Sequence, residues 1–230
     1  MKTPLTKSKI MQKNTKNKII LIPIRTKLIT QKDTIEHIIS TFAESFFRQG
    51  DIVVIAESAL AISQGRAIPE DEIKVGILAK ILWRFVAKVP YGVGLRSPES
   101  MQCAINEAGA LRILIAAIFS ALTKPFHLKG LFYRIAGKQP AMIDAAHTTP
   151  VEPFDRCVIL GPSKPDAIAQ NLNKTFGIEF AVMDINDIGG SWVIGNSGGI
   201  PVRKLQEIMK INPMGQGDEL TPICIVRGLL

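Results

Sequence analysis

Two hydrophobic periods alternate along the chain, and their order sets the expected elements. Apolar residues run through 19–24 and again through 51–56, where Ile52, Val53, Val54 and Ile55 follow a Gln49-Gly50 stop. Both read as strands. Between them Ile35, Ile38, Ile39, Phe42 and Phe46 recur at helical spacing, which predicts a helix over 34–48 capped by Asp33 or Thr34. A second helical pattern covers 75–89, with Lys80, Arg84 and Lys88 interrupting apolar positions. Residues 100–122 predict one long helix or two, the stretch 113–122 being apolar apart from Ser120. The last third shortens its units. A strand over 156–160 enters a Gly161-Pro162 turn, a helix over 166–176 stops at Gly177 in a left-handed cap, and a strand over 178–183 follows. Residues 192–195, a small-residue turn at 196–199, a helix over 202–210 and a closing strand over 223–226 complete the chain. Helices and strands alternate irregularly, so the pattern predicts an α+β fold with mixed β-sheets and flanking helices rather than a doubly wound parallel sheet.

Composition supports a packed core, since 47% of 230 residues are hydrophobic. The net charge of +8 changes meaning once located. Residues 1–32 hold nine Lys or Arg and no acid, leaving a net −1 on the remainder. The basicity belongs to the start of the chain, and 1–18 reads as a solvated, disordered tail. No basic face interleaved with aromatics is visible, so nucleic acid is not an expected partner. The apolar run 113–122 is too short to span a bilayer, and helix packing inside an oligomer accounts for 75–122 with fewer assumptions than adsorption to a membrane. The start lacks the pattern of a secretory signal, which predicts a cytoplasmic protein. Cys103, Cys157 and Cys224 show no CxxC spacing and read as small buried hydrophobes. His37, His127 and His147 fit no common zinc spacing.

Candidate chemistry lies where apolar runs end in carboxylates. Phe180-Ala181-Val182-Met183 stops at Asp184, Asn186, Asp187, Gly189 and Gly190. Carboxylate oxygens at a strand end suit Mg²⁺, which is held by one or two carboxylates together with substrate phosphates. Asp, Asn and Gly after a strand also form Asx turns, the commoner outcome for such a motif alone. A second carboxylate, Asp144, follows the apolar 140–143 and precedes His147. A third segment, 214–222, carries Met214, Gly215, Gln216 and Gly217 before the closing strand. Its glycines, and those of 195–199, could bring backbone N–H groups close to phosphate.

Taken in order, Gly50 to Ile55, Gln64-Gly65-Arg66, Asp144 to His147, 180–199 and 214–228 resemble the coenzyme F420-0:γ-glutamyl ligase family, over most of residues 19–228. The resemblance implies a ligase-like domain over 19–230, of two intertwined lobes, working as a homodimer. It implies an amide ligase dependent on GTP or ATP and on Mg²⁺ or Mn²⁺, which joins L-glutamate to a carboxylate through an acyl-phosphate. By motif position, Asp144 would be a metal carboxylate, Asp184 or Asp187 a second, and Gln216 a further metal ligand. Nucleotide contacts would come from Glu57, Ser58, Arg66, His147, Asn196, Met214, Gly215, Gln216 and Gly217.

Three positions depart from the family pattern. Ser58 and Ile62 stand where lysines are expected, and Gln64 where a glutamate is expected. Arg134 and Lys138, upstream of Asp144, could meet substrate or phosphate charge in their place; solvated surface charge accounts for them equally well. The departures favour a divergent branch acting on a folate-type acceptor, dihydropteroate or a reduced folate. F420-0 itself, or nucleotide binding without ligation, are the alternatives.

Overall fold

The computed structural model describes residues 9–10, 19–86, 94–123, 131–187, 190–215 and 217–230. His127, Gly189 and Gln216 lie outside the described residues, as does most of the 1–18 segment. The chain divides into two compact units: residues 1–65 with 162–230, and residues 66–161 inserted between them.

The first unit is built on a mixed six-stranded sheet. Its strands are β1 (Lys9–Ile10), β2 (Ile20–Ile24), β3 (Ile52–Ala56), β6 (Glu179–Ile185), β7 (Ser191–Asn196) and β8 (Ile223–Arg227), in the spatial order β1-β2-β8-β3-β6-β7. Only β3 and β6 run parallel. Within the segment expected to be a disordered tail, Lys9 and Ile10 pair with Leu21 and Ile20. An edge strand offers unpaired N–H and C=O groups, which is what the short β1 meets on β2.

Central β3 is continuously apolar because both its faces are covered. Val53 and Ile55 join Phe180, Val182, Ile223 and Ile225 against α1 (Ile35–Phe42), α2 (Glu57–Ser63) and α8 (Pro165–Phe176). Ile52 and Val54 join Ala181, Met183, Cys224 and Val226 on the other face, under Leu205 and Met209 of α9 (Val202–Met209).

Helix α1 is shorter than its periodicity predicts. Thr34 caps it, and Ala43 closes it ahead of a 3-10 turn over Glu44–Phe46. The cause lies downstream: Arg227 donates to the Phe46 carbonyl at 2.7 Å and to both oxygens of fully buried Asp51, at 2.9 and 2.8 Å. Those bonds hold the chain in its turn into β3. Helix α8 matches expectation, with Gly177 at φ +71° as its left-handed cap.

The second unit pairs β4 (Ala67–Pro69) with β5 (Cys157–Ile159) and packs them with helices α3 (Ile77–Leu82), α4 (Pro98–Ala108), α5 (Ala110–Thr123), α6 (Leu131–Ala136) and α7 (Lys138–Ala141). Met101, Cys103, Ala104, Ile113, Ala116 and Val158 form the centre of its core. The expected 100–122 helix is two helices. Gly109, at φ +87°, ends α4 by donating to the Ile105 carbonyl, and α5 leaves at 115°. No single described helix is long and apolar enough to cross a membrane, although this bent pair passes that test by combined length and composition. The 75–89 pattern resolves into α3 and a 3-10 turn over Trp83–Phe85, its end lying outside the described residues.

Candidate functional site

In the first unit, the apolar run that promises a strand extends two residues further than expected. Asp184 is part of β6, paired with Trp192 of β7, so the expected open mouth begins only at Asn186. There the chain makes a hairpin. Asn186 accepts from Gly190 N–H through its side chain at 2.8 Å, and its own backbone N–H donates to the Gly190 carbonyl at 3.0 Å, a span of four residues rather than the two of an Asx turn. Asp184 is half-buried, and burial raises its carboxyl above its ordinary value.

Asp187 accepts from Asn212 Nδ2 at 2.6 Å. Asn212 is buried and stands at φ +41°, and its carbonyl accepts from Gly215 N–H at 3.3 Å. This one residue joins the carboxylate-bearing hairpin to the glycine loop that follows α9. Gly217 N–H donates to Glu219 at 2.7 Å, and a Cβ at Gly215 would come within 2.7 Å of the same carboxylate. The loop already cradles an anion, supplied by the chain itself. Met214 is buried in the core beneath it, and its carbonyl accepts from Thr221.

Two glycines of 195–199 have packing roles of their own. A Cβ at Gly195 would lie 2.5 Å from the backbone of Pro165, so glycine lets α8 rest directly on β7. Gly199 N–H donates to Glu179 at 3.1 Å and Ser197 donates to the same carboxylate. Asn196 receives Gly198 N–H on its side chain while its own N–H donates to Asp166. These bonds tie the turn to β6 and α8.

At the start of α2, Glu57 is buried and Ser58 half-buried. Gln64 accounts for its own departure from the family pattern. Its amide donates to the Ser163 carbonyl at 3.0 Å and accepts from Ser163 N–H at 2.7 Å, a pairing that needs both a donor and an acceptor.

The second unit holds the other expected residues. Asp144 forms an isolated bridge with Ile159, with N···O distances of 2.8 and 3.0 Å, and its side chain is exposed between buried Ile143 and Ala145. It lies just after the short helix α7. His147 stands at φ +66° with Nε2 3.3 Å from Glu70. Arg66 is engaged within the unit, by Gly161 O at 2.6 Å, Glu107 at 2.7 Å and Gln139 at 3.4 Å. Arg134 and Lys138 are exposed.

Among the described residues, no three His, Cys, Asp or Glu side chains gather in metal-binding proximity. Asp184 in β6 and Asp187 just after it carry hard carboxylate oxygens, the donor type that Mg²⁺ and Mn²⁺ take. Sequence reasoning missed Asn212, Glu179 and Glu219. The last of these had a signal in the Gly-Gln-Gly-Asp-Glu run, where an acid follows the glycines that it fills.

No curated protein matches the chain. A sequence profile described as F420-0:Gamma-glutamyl ligase matches residues 23–199. The match runs from β2 through Asp144, Asp184 and Asp187 and stops short of the loop that follows α9. Covering well over half the chain, with β3, β6, β7 and the Asp184 hairpin inside it, that match makes this protein a member of the F420-0:γ-glutamyl ligase family.

Proposed function

We propose that the protein is a nucleotide- and metal-dependent amide ligase that adds L-glutamate to a carboxylate acceptor of folate type. The observation that carries the reading is the Asn212 bridge, which ties the Asp187 carboxylate just after β6 to a loop whose Gly217 N–H holds a carboxylate. Nucleotide phosphates held by a divalent cation need both features, oxygen ligands for the metal and N–H donors for the phosphate oxygens.

Asp184 or Asp187 would hold the metal from the first unit. A bound divalent cation would supply charge neutralisation of the phosphates. The Gly217 N–H would receive a phosphate oxygen once Glu219 swings away. Phosphoryl transfer depends on positioning and electrostatics. The terminal phosphoryl passes to the acceptor carboxylate, giving an acyl-phosphate and a nucleoside diphosphate. The glutamate amine then attacks the acyl carbon, the C–N bond forms, and inorganic phosphate leaves. Ser58, Ile62 and Gln64 in place of the family's charged residues support an acceptor other than F420-0, and the working assembly is a cytoplasmic homodimer.

The test is coupled turnover. Phosphate release from GTP or ATP should require glutamate, acceptor and Mg²⁺ or Mn²⁺ together, and should vanish in Asp184→Asn and Asp187→Asn proteins that remain folded by circular dichroism. Release that ignores glutamate, or survives both substitutions, would contradict the reading.

A further inference from the structure

Trp192 and Asp184 face the same side of the first unit's sheet. In β6, Val182 packs on the side of α8 and Met183 on the side of α9, so Asp184, two residues beyond Val182, returns to the α8 side. In β7, Val193 joins the α9 side and Ile194 the α8 side, which turns Trp192 to the α8 side as well. The two residues are direct cross-strand partners. Side chains so paired have Cβ atoms about 4.5–5.5 Å apart.

Their end of the sheet is the one where the parallel pair finishes: Ala56 of β3 registers with Met183 of β6, and Asp184 follows. The carboxyl ends of parallel strands are where such sheets present ligand-binding side chains. Helix α8 begins at Pro165, over Gly195, and leaves the Trp192 position largely uncovered, 52% exposed. The outer edge of the indole rests on Gly190, where a Cβ would come within 2.4 Å of the ring and of the Asn186 amide. A half-exposed indole so seated offers a stacking surface, and aromatic pairs gain stability beyond the area they bury.

Distance decides which ring it takes. In the ligase reading proposed above, the acceptor carboxylate meets the terminal phosphoryl beside the metal that Asp184 or Asp187 holds. A ring within about 5 Å of Asp184 is then one that carries the reacting carboxylate directly. A nucleotide base is separated from the terminal phosphoryl by a ribose and two further phosphates, and a carboxylate on a glutamyl chain has only alkyl carbons beside it. Dihydropteroate bears its carboxylate on a benzene ring. We infer that Trp192 is an acceptor-specificity residue, whose indole stacks on the benzoyl ring of a dihydropteroate-type aryl carboxylate and directs that carboxylate toward the end of β6. The inference rests on the ligase reading and narrows its acceptor to one with a ring-borne carboxylate.

The test compares the full-length wild type with Trp192→Leu and Trp192→Phe. By calorimetry with Mg²⁺ and a nucleoside diphosphate present, pteroate should bind about tenfold more weakly to Trp192→Leu than to the wild type, the scale of one lost aromatic stack, and Trp192→Phe should restore most of that loss. In turnover, Trp192→Leu should raise KM for dihydropteroate by the same factor while kcat and the KM values for nucleotide and glutamate stay unchanged. The wild type should also prefer dihydropteroate to tetrahydrofolate, whose free carboxylates are alkyl. No binding of pteroate to the wild type, equal pteroate affinity in Trp192→Leu, a phenylalanine variant no better than the leucine one, a rise in the nucleotide KM instead, or tetrahydrofolate turned over as well as dihydropteroate would each overturn the inference. Turnover that persists in those cases leaves the ligase standing. Failure of the ligase itself shows as no turnover with any acceptor, and calorimetry still reads the stack on Trp192.

Discussion

Asp184 is a carboxyl that burial has made reluctant to ionise. Its folded-state pKa lies above the ordinary 3.8, so the folded protein binds a proton that the unfolded chain releases, and stability falls as pH rises through that interval. Replacing Asp184 by Asn should therefore raise the Tm of the metal-free protein at pH 7.5, with the gain shrinking as pH is lowered toward 4. A scanning calorimeter reads this directly, and an unchanged or lowered Tm at pH 7.5 would show that the charge is already compensated. The cysteines report burial in another way. Burial pushes Cys103 up to about 11 and Cys224 up to about 12, and raises Cys157 as well. Thiolate is the reactive form, so Ellman's reagent should label none of the three in the native protein and all three in guanidinium chloride. Rapid native labelling would contradict the packing of these residues.

At the scale of elements, two close approaches decide how the first unit is assembled. Arg227 at the end of β8 reaches fully buried Asp51 and the Phe46 carbonyl, joining the last strand to the turn before β3. Arg227→Ala leaves a buried carboxylate without its cation, which should cost about 3–5 kcal/mol in urea unfolding. A loss under 1 kcal/mol would mean that water replaces the guanidinium. Gly195→Ala forces a methyl group against the Pro165 backbone and should cost about 1–3 kcal/mol by the same measurement, through displacement of α8. Strands β2, β3, β5, β6 and β8 and helices α8 and α9 were legible in the sequence because period and stop signals agreed there, down to the Gly177 cap, whereas β1 and β4 are too short to carry a period. The early end of α1 was not, because its cause is Arg227, some 180 residues away. Asp184 was misplaced by the same kind of distance effect: its strand continues because β7 pairs with it, which local pattern does not reveal. The carboxylates and the glycine loop were legible as residue types, but Asn212, which joins them, carried no motif. The packing role of Gly195 was not legible because composition records the absence of a side chain and not the helix that rests there.

For the whole molecule, the exposed face of α5 and the family chemistry set the expectations. Leu111, Ile115, Ile118 and Leu122 fall at i, i+4, i+7 and i+11 and are 71%, 39%, 49% and 65% exposed, more contiguous apolar surface than one helix of a monomer usually leaves in water. A homodimer would cover such a stripe, so light scattering after gel filtration should give twice the 25.2 kDa of one chain, and Ile118→Glu should shift the mass toward the monomer. A monomer in the wild type would remove that explanation. The central claim is that the protein makes a γ-glutamyl amide. The most direct measurement incubates it with GTP or ATP, Mg²⁺, isotope-labelled L-glutamate and, in separate reactions, dihydropteroate, a reduced folate and F420-0, and reads the acceptors by mass spectrometry. Our account predicts one labelled glutamyl residue added to a folate-type acceptor, with nucleotide required and Asp184→Asn inactive. Glutamate on F420-0 alone would contradict the acceptor assignment, and addition to none of the three while nucleotide still binds would contradict the ligase itself.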